Sequence, residues 1–104
     1  MTTAELATAL PEIVTEQVPG SKSKELLDRR DAAIPKALCG KTYPICIKQG
    51  SGAMFEDMDG NKFLDWVGGV GVLNIGYSHP EVIEAVKKQT CLLYTSPSPR
   101  DMRR

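Results

Sequence analysis

FEDMDGNKFLDWVGGVGVLNIGYSHPEVIEAV, residues 55–86, decides the fold because its pattern changes twice along its length. It opens as short apolar-rich runs around an Asp59-Gly60 pair, passes through a glycine-rich stretch at 68–71, and ends with helical spacing. Taken with ICIK (45–48) and AMFED (53–57), the run KFLDWV (62–67) predicts a small antiparallel meander. Its separators, QGSG and MDGN, carry Gly50, Gly52 and Gly60, residues that tolerate the positive φ of tight reversals. After the glycines, SHPEVIEAVKKQ predicts a helix. Ser78 and Glu81 have capping-box spacing, Pro80 suits a first turn, Val82, Ile83 and Val86 form one apolar stripe, and Glu84 and Lys88 stand at i, i+4.

Working outward, SKSKELLDRRDAAIPK predicts an earlier helix with Ser21 or Ser23 as its cap, Leu26/Ala33 and Leu27/Ile34 recurring at seven, and Pro35 as its stop. Its basic residues, Lys22 to Arg30, alternate with Glu25 and Asp28, the pattern of a solvated face. Residues 1–20 end in VPGSKS and read as a flexible, loosely docked arm. The 104 residues bound the answer to one small domain or a piece of a larger one, and 41% apolar with 25% charged residues is a globular composition. A formal net charge of +0 argues against nucleic acid as a partner, and no run approaches a membrane span. The N-terminus lacks a basic start, and the three cysteines form no C-x-x-C pair, which together suit a cytoplasmic protein with free thiols.

Several familiar site patterns fail on inspection. A dinucleotide fingerprint needs G-x-G-x-x-G opening a helix; Gly69 and Gly71 supply two positions, but the third is Asn74. CGKT (39–42) has Pro35 where a phosphate-binding loop needs its first glycine. Asp57 and Asp59 alternate as calcium ligands do, yet the sixth and twelfth positions are Lys62 and Gly68, so a hairpin turn is the expectation and no metal site is assigned. His79, beside Pro80, suits capping or packing, and Trp66 a core or interface anchor. On pattern alone the glycines mean a sharp turn or a close backbone approach.

The order of residues carries more. Asp57, Asp59, Gly60, Leu64 and Asp65 (D-x-D-G-x-x-x-L-D), then Gly68-Gly69, then Leu73, Asn74, Gly76, His79 and Pro80 (L-N-x-G-x-x-H-P) resemble the start of a class III pyridoxal-phosphate-dependent aminotransferase. Arg29, Arg30, Ala33, Ile34 and Pro35 resemble its 4-aminobutyrate branch, and the resemblance runs over about 21–89. It implies an α/β fold, the N-terminal, small-domain portion of a fold type I enzyme: helix, short antiparallel meander, helix, in an incomplete domain. It further implies pyridoxal 5'-phosphate as cofactor, an amino donor and 2-oxoglutarate as substrates, and a homodimer. Val70, where relatives commonly carry isoleucine, is placed by it at the substrate site, flanked by Gly69 and Gly71. The phosphate loop, the carboxylate-binding arginines and the Schiff-base lysine of such enzymes lie beyond the counterpart of Gln89, so no catalytic or cofactor-binding residue is assigned here. The relatives acting on ornithine, acetylornithine or β-alanine are the alternative substrates, and a small non-catalytic interaction domain is the alternative of another class.

CLLYTSPSPRD, residues 91–101, resembles a translated sequencing adapter. The organisation expected is therefore an arm at 1–20, an aminotransferase segment at 21–90 and a non-native tail at 91–104, with the fragment inactive and poorly folded by itself.

Overall fold

The computed structural model describes residues 2–35 and 43–94. Cys39, the CGKT stretch and most of the adapter-like tail fall outside them. Helix α1 (Thr3–Ala7) is closed by a full capping box between Thr2 and Glu5. Helix α2 (Ser21–Ala33) ends as Pro35 requires, with Ile34 already extended. Strands β1 (Ile47–Ser51), β2 (Met54–Asp57) and β3 (Lys62–Leu64) form the expected meander, antiparallel in the order β1-β2-β3. A single turn, α3 (Gly68–Gly71), and the long α4 (Pro80–Tyr94) complete the described elements.

Strand β1 lies two to three residues later than the pattern suggested, and Gly50 sits inside it rather than in the reversal, paired with Phe55. The reason is packing: a Cβ on Gly50 would come within 2.6 Å of the Tyr77 ring. The turn itself falls on Gly52, at φ +58°. Strand β3 stops at Leu64, three residues early, because the Asp65 side chain takes the amides that a longer strand would offer to a ladder.

Residues 2–20, within the stretch expected as a loose arm, are docked. Leu6 is 0% exposed and Met54 3%, where α1 lies across β1 and β2. Glu12 and Lys62 exchange both backbone hydrogen bonds. Asn61 Oδ1 accepts from the amides of Val14 (2.8 Å) and Thr15 (3.1 Å). Asn61 is itself fixed by Asp57, whose Oδ1 accepts from its amide at 2.8 Å and whose Oδ2 accepts from its Nδ2 at 2.8 Å. Neither Ser21 nor Ser23 caps α2. Gly20 is the N-cap, and the carboxylate comes from Asp59, which accepts from the amides of Lys22 (2.8 Å) and Ser23 (2.9 Å). The capping residue is thus remote in sequence and does the work a local serine usually does.

At the other end, the expected Ser78–Glu81 box does not form. Ser78 stands at φ +55°, and α4 starts directly at Pro80 with the His79 carbonyl accepting from Ile83 at 3.0 Å. Glu84 pairs with Lys87 at 2.8 Å, one residue nearer than Lys88. Val82, Ile83 and Val86, the apolar stripe of α4, remain exposed. Leu6 and Met54 are the buried hydrophobic residues among those described, and the radius of gyration of 17.7 Å exceeds the roughly 13 Å of a compact chain this long. A chain with so little core and so extended a shape is an incomplete domain.

Candidate functional site

The site grows from the end of β3. The Asp65 amide donates to the Ala53 carbonyl at 2.8 Å, which fixes the residue against the β2 edge and turns its side chain toward the glycines. Asp65 Oδ1 accepts from the amides of Val67 and Gly68, both at 2.9 Å, and Oδ2 accepts from the amide of Gly69 at 3.0 Å and the Tyr77 hydroxyl at 2.7 Å. The Tyr77 hydroxyl, more than the three amides, holds the Asp65 carboxyl below the ordinary carboxylate range, against the raising effect of partial burial. Burial and, after it, the Asp65 charge push the Tyr77 phenol up to about 12, so it stays a donor at neutral pH.

With its amides held, the chain turns left-handed. Gly68, Gly69, Val70 and Gly71 have φ of +60°, +60°, +66° and +76° in succession. Gly71 donates to the Val67 carbonyl at 2.9 Å and Val72 to the Gly68 carbonyl at 3.0 Å, so α3 is one turn of left-handed helix. That explains the glycines. A Cβ on Gly68 or Gly71 would meet nothing within 4 Å, so within this chain the sign of φ, rather than crowding, favours glycine there. Close approach governs Gly76 instead, whose Cβ would stand 2.6 Å from the Gly52 carbonyl oxygen. There Gly52 and Tyr77 exchange backbone hydrogen bonds of 3.1 and 2.8 Å. Val70 is the one side chain in the left-handed turn, and it is 79% exposed.

Val70 and Gly69 stand at the edge of an open cavity of about 330 Å³ on the outer face of the sheet, lined by Ile45, Ile47, Phe55, Phe63 and Trp66. Phe55 and Phe63 stack at 5.1 Å, and Tyr77 meets Phe55 edge-on at 6.1 Å. Trp66, 89% exposed, belongs to no core within this chain. The wall offers apolar contact and little else: the Asp65 oxygens are taken by four donors, the Tyr77 hydroxyl is committed to Asp65, and among the described residues no lysine, arginine, serine or histidine lines it. A pyridoxal phosphate needs donors for a phosphate dianion and a lysine for its aldehyde, so this wall alone does not fit the cofactor. At the neighbouring turn the Asp57 oxygens are likewise taken, by the Asp59 and Asn61 amides and the Asn61 side chain.

Of the residues singled out from the sequence, the structure brings Val70 and Gly69 to the cavity and leaves Gly71 just behind it in the same turn. His79 lies apart, with its Nδ1 buried and unpartnered among the described residues. Asp65 and Tyr77 were missed as organising residues. The available signal was an aspartate two to four residues ahead of a glycine pair, the spacing at which a carboxylate gathers its own downstream amides.

The profile of the class-III aminotransferases matches residues 37–98, past the point where the sequence was expected to leave the family. The alanine/serine racemase of Pyrococcus horikoshii is 37% identical over 86 residues, covering 83% of this chain and 18% of that protein. The 4-aminobutyrate aminotransferase of Mycobacterium leprae is 39% identical over 90 residues, covering 81% of this chain and 20% of its own length. The solved structure of a transaminase with PLP bound superposes with a TM-score of 0.60 at 27% identity, over 88% of this chain and 22% of that one. The chain therefore spans about a fifth of the length of the relatives it matches.

Proposed function

The chain belongs to the class III aminotransferase family, which is pyridoxal-phosphate-dependent, and on that premise we propose that it is the N-terminal segment of an enzyme moving an amino group from 4-aminobutyrate, or a similar ω-amino acid, to 2-oxoglutarate. One observation carries the reading: an exposed valine is held over a largely apolar wall whose carboxylate, Asp65, is already engaged by four donors, a surface suited to the methylene chain of an ω-amino acid. Val70, with the backbone of Gly69 and Gly71, would form that side of the substrate site. An ornithine-type donor, which carries an extra ammonium, is the less favoured substrate because both oxygens of Asp65, the carboxylate among the described residues of this wall, already accept two hydrogen bonds each.

The rest of the site comes from chain beyond this segment, where the lysine and the phosphate donors lie, and from a second subunit of a homodimer. The 104-residue chain alone is inactive on this account, and the foreign tail expected from residue 91 is proposed only beyond residue 98, where the family match ends. No helix of the described residues is long and apolar enough to cross a membrane, and the cytoplasm is the compartment proposed.

The test is to sequence the locus past the codon for Gln89, then express the whole reading frame with pyridoxal phosphate and assay glutamate formation from 4-aminobutyrate and 2-oxoglutarate. Turnover of 4-aminobutyrate by the longer product is the expected outcome. A genome that itself ends at Arg104, or a longer product that only interconverts the enantiomers of alanine or serine, would overturn the reading.

A further inference from the structure

We propose that Asp65 and Tyr77 are positioning residues: by gripping the amides of Val67, Gly68 and Gly69 they hold Val70 in its left-handed conformation at the cavity rim, and so set how tightly an ω-amino donor is bound. The inference rests on the functional reading above. A β-branched residue at φ +66°, ψ +49° is unfavourable and persists only where its surroundings over-determine it. Packing does not supply that constraint here. Val70 is largely exposed, and beside it the space around Gly68 and Gly71 is open to 4 Å.

Beside the turn's own backbone hydrogen bonds from Gly71, Val72 and Leu73, what holds it from the sheet side is the carboxylate. Three consecutive amides and one phenol converge on Asp65, a set of charge-assisted hydrogen bonds that closes the turn from its start. Tyr77 ties that carboxylate to the sheet, because its ring lies over Gly50 and edge-on to Phe55, and its backbone exchanges hydrogen bonds with Gly52. Sheet, phenol, carboxylate, turn and valine thus form one braced series. An exposed valine in a costly conformation does nothing for the fold of this segment, which leaves presentation of its isopropyl group as the consequence of the bracing.

The test uses the whole enzyme with pyridoxal phosphate and four variants: Asp65→Asn, Tyr77→Phe, Val70→Ala and the double Asp65→Asn/Val70→Ala. Asparagine keeps the shape but turns an N–H toward at least one of the donors Asp65 now receives. Expected is a rise of about tenfold in KM for 4-aminobutyrate in Asp65→Asn and about threefold in Tyr77→Phe, with kcat within about twofold. The double variant should bind no more weakly than Val70→Ala, since Asp65 acts through Val70. Additive effects in the double, or an unchanged KM in Tyr77→Phe, would refute the proposal, and the Tyr77→Phe result decides alone if Asp65→Asn does not fold. A readout independent of activity is amide exchange. The amides of Val67, Gly68 and Gly69 should exchange about tenfold faster in Tyr77→Phe while those of Val14 and Thr15 do not change, and unaltered exchange refutes the bracing even if the enzyme proves to act on another substrate.

Discussion

Two carboxylate-centred turns lie within ten residues of each other and do opposite things. In the first, Asn61 and Asp59 reach out to Val14, Thr15, Lys22 and Ser23, 36 to 47 residues away, while Asp57 holds Asn61 in place, and Asp57 and Asn61 are fully buried. In the second, Asp65 gathers Val67, Gly68 and Gly69 from its own downstream chain and reaches no further than Tyr77. The first turn fastens the arm and α2 to the sheet and completes a local structure. The second props up a surface that ends in exposed Trp66, Val70 and Val72. The same physical device, a side-chain oxygen satisfying backbone amides, closes a fold when its partners are distant and presents a side chain when they are near.

That contrast is open to attack in order of effect. The largest effect follows from removing everything beyond the segment. The 104-residue chain, with so few buried apolar side chains, is expected to show no cooperative thermal transition, and a sharp two-state melt would mean that the outer surface needs no partner. Next comes Asn61→Ala in the whole enzyme, which strips the partners of the Val14 and Thr15 amides and of Asp57 Oδ2. A loss of about 3 kcal/mol in a denaturant titration is expected, with KM for the donor little changed.

Acid should separate the two turns more gently. The carboxyl of Asp65 is lowered in the fold, so its contribution is fully present above its unfolded value near pH 4 and is lost as pH falls through the lower folded value. On acidification, protection of the Val67, Gly68 and Gly69 amides is expected to fall first. Val14 and Thr15 are held by the amide oxygen of Asn61, which takes up no proton, so acid reaches them only indirectly, through the Asp57 carboxylate that fixes Asn61. NMR amide exchange as a function of pH reads both. The smallest effect is expected from Val70→Gly. Relief of a left-handed valine, about 1–2 kcal/mol, is largely cancelled by the backbone entropy of glycine, about 0.5–1 kcal/mol. Stability should rise by about 0.5 kcal/mol while donor binding weakens.

The sequence made the meander and the two main helices legible, because period, turn residues and Pro35 are local signals. It hid whatever depended on distant partners. Ser21 and Ser23 look like caps, but Asp59 sits 37 residues from Lys22 and its cap has no local signature. Gly50 reads as a turn residue until the Tyr77 ring is laid over it. The glycines at 68–71 read as space for a close approach, whereas a left-handed turn is a property of four successive backbone angles that no side-chain pattern encodes. Asp65 closes the D-x-D-G-x-x-x-L-D pattern, yet its role follows only from the geometry of the amides it collects.

The most direct test of the central claim is a crystal structure of the whole enzyme with an unreactive ω-amino acid analogue bound. The expected result is Val70 at positive φ within about 4 Å of the ligand's methylene chain, with the Asp65 carboxylate still on the amides of Val67, Gly68 and Gly69. A turn relaxed to right-handed angles, or a ligand seated away from Val70, would contradict it.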